Sequence, residues 1–261
     1  MNAKIVHAPW QLPFGYLYCS NQLVTCQSFS NLLSLLSDEH PKHKSSDHMN
    51  KKYILFDLDG TLTDPMKGIT KSVRYALNYY GIEVNDLNDL LPFIGPPLRD
   101  SFQEFYGFNA LKAEEAVVKY REYFSTKGIF DNKVYPGIEV CLQTLKDQGK
   151  VLLVATSKPE KFAKEIIEHF GLAKYFDFVG GSEFNGREKK AEVIDYVLTA
   201  NMIDKDEAIM VGDRKHDVIG AHENDLPCIG VLYGYGTKEE LMACNSDYLV
   251  ADINALQELL G

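Results

Sequence analysis

From Asn50 onward the chain alternates between short apolar runs that stop at polar turns and longer stretches with helical spacing. Tyr53-Ile54-Leu55-Phe56 is apolar, with β-branched and aromatic members, which is the pattern of a buried strand. It stops at Asp57-Leu58-Asp59-Gly60-Thr61. Val151-Leu152-Leu153-Val154-Ala155 stops in the same way at Thr156-Ser157-Lys158-Pro159, and Ala208-Ile209-Met210-Val211 at Gly212-Asp213-Arg214-Lys215-His216-Asp217. Strands are expected over 52–57, 150–155, 176–180, 207–211, 228–232 and 247–250. Helices are expected over 137–148, 159–169, 189–200, 216–223, 237–243 and 252–260. The alternation predicts an α/β fold, a Rossmann-like parallel sheet with helices on both faces. The polar strand ends would then meet on one edge of the sheet, where open α/β sheets bind ligands.

The insertion between the first two of these strands is about seventy residues long, too long for a plain loop. Ile69, Val73, Ala76, Leu77 and Tyr80 recur at helical spacing, as do Ala113, Ala116, Val117, Tyr120 and Phe124. A small helical subdomain is therefore expected over 65–134, inserted into a core made of 50–64 and 135–261. Phe102, Phe105, Tyr106 and Phe108 read as the core of that subdomain rather than a base-stacking platform. Phe93-Ile94-Gly95-Pro96-Pro97-Leu98-Arg99 is a candidate specificity loop, with Gly95 and Arg99 as its marked residues. It reads equally as a helix–helix turn with an exposed arginine.

Two carboxylates one residue apart, Asp57 and Asp59, cannot both ionise freely unless a cation intervenes. They suit a division into nucleophile and general acid/base, or they hold a hard cation through oxygen; the two readings are compatible. The Thr156 and Ser157 hydroxyls can donate to a phosphate oxygen or cap the helix after them. Asp213 and Asp217 can complete an oxygen-rich cation site or cap a helix. A lysine in Arg187-Glu188-Lys189-Lys190 can reach a phosphate as a mobile point charge.

Taken together and in chain order, the four segments resemble the four motifs of the haloacid dehalogenase superfamily. The likeness covers about residues 50–261. It is nearest the phosphoglycolate phosphatase-like and 5′-nucleotidase-like branch, to which the Ile-Gly-Pro-Pro-Leu turn and Gly230–Gly236 are similar. The resemblance implies a helical cap over the site and Asp57 as the nucleophile that forms an aspartyl-phosphate. It implies Asp59 as general acid/base, and Thr156, Ser157 and Lys190 (with Lys189 as its alternative) as phosphate-binding. Mg²⁺ would be held by Asp57, Asp59 through its main-chain carbonyl, Asp213 and, in support, Asp217. Dehalogenases of the family lack an acid at the place of Asp59, so the resemblance points to phosphoryl transfer. Ser157 departs from the asparagine common in relatives. The implied function is a Mg²⁺-dependent phosphatase acting on a 5′-nucleotide or a phosphoglycolate-like phosphomonoester. A sugar phosphomutase, or a silent phosphate-binding regulatory protein, are the alternatives.

Composition narrows the partners. A net charge of −10 argues against a nucleic-acid polymer but not against a small phosphorylated metabolite or nucleotide. Five cysteines, with no Cys-x-x-Cys, fit a reducing, cytoplasmic setting, and no apolar run is long enough to suggest a membrane partner. Residues 1–48 lack clear periodicity, and His48-Met49 resembles a cloning junction. A leader that is weakly ordered or non-native is expected there. The sequence leaves the oligomeric state open.

Overall fold

A computed structural model describes residues 50–183 and 186–261 of the protein; the expected leader over 1–48 lies outside the described residues. Strand β1 (Tyr53–Phe56) is followed by a two-residue strand, β2 (Thr63–Asp64). The helical insertion comes next: α1 (Met66–Tyr79), a 3₁₀ segment (Leu87–Phe93), α2 (Leu98–Tyr106), α3 (Ala110–Tyr123) and a π-helical turn (Phe124–Gly128). After β3 (Lys133–Val134) come α4 (Ile138–Asp147), β4 (Val151–Pro159), α5 (Glu160–His169) and β5 (Phe178–Ser182). The chain continues through α6 (Lys190–Ala200), β6 (Ala208–Gly212), α7 (Lys215–His222) and β7 (Cys228–Val231). It closes with α8 (Lys238–Ala243), β8 (Tyr248–Val250) and α9 (Ile253–Leu260).

Six strands form one parallel sheet in the order β5-β4-β1-β6-β7-β8. β1 is therefore central, flanked by β4 and β6, the two other strands with chemically marked ends. Side-chain alternation decides what covers each face. Ile54, Phe56, Leu152, Val154, Ile209 and Val211 share one apolar cluster with α4, α5, α9 and the insertion. Leu55, Leu153, Ala155, Ala208 and Met210 share a second with α6 and α7. Burial on both faces is why these strands are continuous apolar runs rather than alternating ones. Each fully buried aliphatic or aromatic side chain contributes about 1.5–3 kcal/mol.

Most element ends fall within two residues of expectation. β4 is the exception. It runs to Pro159, beyond the expected end at 155, and Pro159, expected in the first turn of the next helix, is the N-cap of α5. Two effects keep Thr156–Pro159 extended. Pro159 pairs with Ser182 of β5 after a register irregularity, and a residue before proline, here Lys158, is biased away from helix.

In the insertion, Phe102 and Phe108 are buried and stack with centroids 5.9 Å apart, and Phe93 meets Phe102 edge-to-face at 5.0 Å. Phe105, expected in this core, is 42% exposed and sits at its margin. Both chain crossings into and out of the insertion pass through one antiparallel ribbon, β2 against β3, with Thr63 opposite Val134 and Asp64 opposite Lys133. This ribbon was not expected, because two residues per strand leave no periodic signal. Among the described residues Cys141, Cys228 and Cys244 are free thiols, and no helix is long and apolar enough to cross a membrane.

Candidate active site

Asp57 is the first residue after β1. Alternation continues the face of Leu55, which α6 covers, and the first residue of α6 is Lys190. The Lys190 ammonium donates to Asp57 Oδ1 at 2.7 Å and to the Ala155 carbonyl at 3.0 Å, and it pairs with Asp217 Oδ1 at 2.8 Å. Glu192 Oε2 fixes the start of α6 by accepting from the backbone N–H groups of Glu188 (2.7 Å) and Lys189 (3.0 Å). Of the two lysines, Lys190 is the buried one. Burial alone would lower its pKa, but Asp217 and Asp57 outweigh that and raise it.

After Asp57 the backbone folds into a tight turn. The Leu58 carbonyl accepts from Leu62 and Thr63 at 2.9 and 3.0 Å, and Gly60 N donates to Thr63 O at 2.7 Å. Gly60 sits at φ +91°, in the left-handed region. The turn brings the Asp59 carboxylate into the site, where Oδ2 is held by the Lys158 ammonium and Oδ1 is buried without a hydrogen-bond partner. Burial pushes the Asp59 carboxyl up in pKa, against the pull of Lys158. Lys158 Nζ also lies 4.8 Å from the centroid of the Phe124 ring, a contact from the core to the insertion.

Asp213 and Asp217 follow β6, and both are fully buried. Asp213 Oδ2 accepts from Tyr235 N at 2.7 Å and Oδ1 from the Thr61 hydroxyl at 3.4 Å. Asp217 Oδ2 accepts from Arg214 N at 3.0 Å, so Asp217 caps its own helix while its other oxygen faces Lys190. A Cβ at Gly60 or Gly234 would overlap the Asp213 side chain, and one at Gly212 would overlap that of Asp217. Burial, reinforced by the neighbouring carboxylates, raises the Asp213 pKa well above the usual range. Burial likewise pushes Asp217 up to about 6, against the pull of Lys190.

Asp57, Asp213 and Asp217 bring carboxylate oxygens within 4.8 Å of one another. One lysine cannot neutralise three buried carboxylates, and an all-oxygen donor set suits a hard divalent cation. The residues present therefore fit such an ion. The Asp59 carboxylate is not part of this cluster.

Residues 54–231 match the family model described as haloacid dehalogenase-like hydrolase. The chain belongs to that family. A 5′-nucleotidase from Pseudomonas aeruginosa is 47% identical over 208 residues, covering 79% of this chain and 94% of the relative. The tyrosine-protein kinase PtkA of Mycobacterium tuberculosis is 35% identical over 223 residues, covering 84% and 76%. Among solved structures, a predicted phosphatase from Clostridium acetobutylicum superposes with a TM-score of 0.78 at 52% identity, covering 80% of this chain and 97% of that one.

In this haloacid dehalogenase-like chain Asp57 and Asp59 open onto a cavity of about 350 Å³ between core and insertion. Phe93, Val117, Tyr120, Phe124 and Phe162 supply its apolar wall, and Thr156, Ser157, Lys189 and the loop Gly95–Arg99 also line it. Thr156 is buried, and its Oγ1 accepts from Lys158 N at 3.2 Å. Neither Thr156 nor Ser157 caps α5, so the capping alternative is set aside. Arg99 pairs with Glu114 of the cap and, at 3.6 Å, with Glu188 of the core. With 43–51% of these side chains exposed, such pairs contribute about 0–1 kcal/mol each, so an anionic group can displace them at little cost. Lys158, which holds Asp59 and lines the cavity, is the site residue that sequence reasoning missed. Its signal was its place directly after the two strand-end hydroxyls.

Proposed function

We propose that the protein is a Mg²⁺-dependent phosphatase that hydrolyses a small phosphomonoester through an aspartyl-phosphate on Asp57. The observation that carries this reading is Lys190, buried between Asp57 and Asp217, in a site where Asp59 also keeps one carboxylate oxygen without a hydrogen-bond partner. Asp57, Asp213 and Asp217, with the Asp59 main-chain carbonyl, would hold Mg²⁺. When bound, that ion neutralises charge on the phosphoryl oxygens.

Asp57 is held by Lys190 with its carboxylate aimed off the central strand, which positions it to attack phosphorus. Lys190, Thr156 and Ser157 steady the phosphoryl oxygens; positioning and charge neutralisation of this kind supply most of the acceleration in phosphoryl transfer. Asp59 Oδ1 gives its proton to the leaving oxygen and then takes one from the water that cleaves the acyl phosphate. The aromatic and aliphatic cavity wall suits a nucleoside as the leaving group, and its volume is within the range of small-molecule sites. The 47% identical relative named a 5′-nucleotidase supports that choice over phosphoglycolate. The kinase-named relative is the reason to test also for transfer to an acceptor hydroxyl, the step a phosphomutase would share.

The test is release of inorganic phosphate from nucleoside 5′-monophosphates, phosphoglycolate and sugar phosphates, with Mg²⁺ and with a chelator. The expected result is release from a nucleoside monophosphate that stops on chelation and returns with Mg²⁺. No release from any substrate, or phosphate found only on an acceptor hydroxyl, would overturn the reading.

Because Lys158 holds one oxygen of Asp59, Lys158→Met is expected to impair proton delivery. Turnover of a nucleoside monophosphate should fall about 10- to 100-fold. The loss on p-nitrophenyl phosphate, whose leaving group needs no proton, should be much smaller. Equal losses on the two substrates would assign Lys158 to binding instead.

A further inference from the structure

Arg214 stands immediately after Asp213, yet its guanidinium turns away from the acidic cluster. Nη1 donates to the carbonyl of Ile94, 120 positions away in the cap. Nε donates to Glu240 Oε1 at 2.9 Å. The same glutamate oxygen accepts from Lys215 N at 2.8 Å, so Glu240 is itself fixed between the main chain of α7 and the arginine. The Arg214 side chain is 12% exposed, unlike the solvent-facing Arg99 pairs.

The loop that Arg214 grips is moulded on it. Gly95 adopts φ +105°, and a Cβ there would lie 2.8 Å from Arg214 Cγ. Any side chain at 95 would be strained in backbone and would press on the arginine stem. Phe93 and Ile94 are buried, and Phe93, Gly95, Pro96, Pro97 and Leu98 line the cavity, whereas Arg214 does not. The arginine therefore touches the cavity wall without reaching the ligand space.

We propose that Arg214, aimed by Glu240, is a specificity-determining positioning residue: it sets the 93–99 loop that walls the cavity, and so selects the leaving group without touching it. A planar guanidinium suits the task because it serves two acceptors in a fixed fork, which a lysine ammonium cannot reproduce. Gly95, marked in the sequence as a residue of the candidate specificity loop, is the position that lets this fork approach. The proposal rests on the phosphatase reading for its substrates but not for its structural content, so its test has two arms.

The first arm is amide hydrogen exchange in the substrate-free full chain. Arg214→Ala should speed exchange of Ile94, Gly95 and Leu98–Ser101 by about tenfold or more, with the strands of the sheet unchanged. The second arm compares a nucleoside 5′-monophosphate, which fills the cavity, with methyl phosphate, which does not. Arg214→Ala should lower kcat/KM on the nucleotide by about 10- to 100-fold, chiefly through KM, and on methyl phosphate by less than about threefold. Arg214→Lys should fall between wild type and Arg214→Ala, and it carries the same comparison should the alanine variant not fold. Adding Glu240→Ala to Arg214→Ala should widen the difference between the two substrates no further.

Unchanged exchange in the loop overturns the proposal whatever the activity. Equal losses on both substrates also overturn it, because they place the damage at Asp213. Wild-type protein that turns over neither substrate refutes the phosphatase reading, and the exchange arm then decides this one alone.

Discussion

Asp57→Asn is expected to abolish turnover, by at least about 10⁴-fold, with the fold preserved. Asparagine keeps the shape of the side chain and an oxygen that can accept from Lys190, so packing at the end of β1 survives. What it lacks is a nucleophilic carboxylate oxygen. It also removes one of three buried, mutually repelling carboxylates, which offsets the weakened pairing with Lys190. Thermal unfolding of the variant should stay within a few degrees of wild type while phosphate release disappears. Retained turnover would remove Asp57 as the nucleophile.

Lys190→Met should lose activity too, but it should also destabilise the metal-free protein. The ammonium touches Asp57 and Asp217, and no other cation contacts that pair among the described hydrogen bonds and ion pairs. Removing one partner from a buried ionic group costs about 3–5 kcal/mol, because the charges left behind are uncompensated. The sign of the pH dependence follows from the carboxyls. Asp213 and Asp217 already have raised pKa values, Asp217 at about 6, and loss of the lysine raises Asp217 further. A carboxyl whose folded pKa exceeds its unfolded value, near 4, favours the folded state most below the unfolded pKa. It loses that advantage as pH rises through the folded one. The deficit of Lys190→Met relative to wild type should therefore be small near pH 4 and large above pH 7. Denaturant midpoints in the presence of a chelator would measure it, and added divalent cation should recover part of the loss. A deficit independent of pH would show that the lysine acts by packing.

The two variants probe the part of the molecule that was most legible in the sequence. Three strands announced themselves because burial on both faces forces continuous apolar runs, and each run broke at residues that have no place in a core. Asp57 and Asp213 stood out for that reason, whereas Lys190, at the start of a helix, was marked only by the family resemblance. The parts that were not legible share a different physics. Lys158 was passed over beside Thr156 and Ser157, because the sequence pattern ended the strand at 155 and an extended backbone before proline is what keeps Lys158 in the site. Arg214 acts on a main-chain carbonyl 120 positions away, and a backbone acceptor is the same at every residue. The β2–β3 ribbon is too short to show a period. Phe105 carried the aromatic signature of a core residue yet sits at its edge, because a short helix offers only part of its circumference to packing.

That ribbon has a further consequence. Thr63 and Val134 are direct partners, so the points where the chain departs for the cap and returns are about 5 Å apart. Everything between them is an insertion with adjacent ends, which is the arrangement that tolerates replacement of one module by another. The sheet closes its own pairing without it. A lineage could therefore exchange, shorten or rebuild the cap and acquire a new choice of leaving group, while the acids, the lysine and the strands that carry them stay as they are.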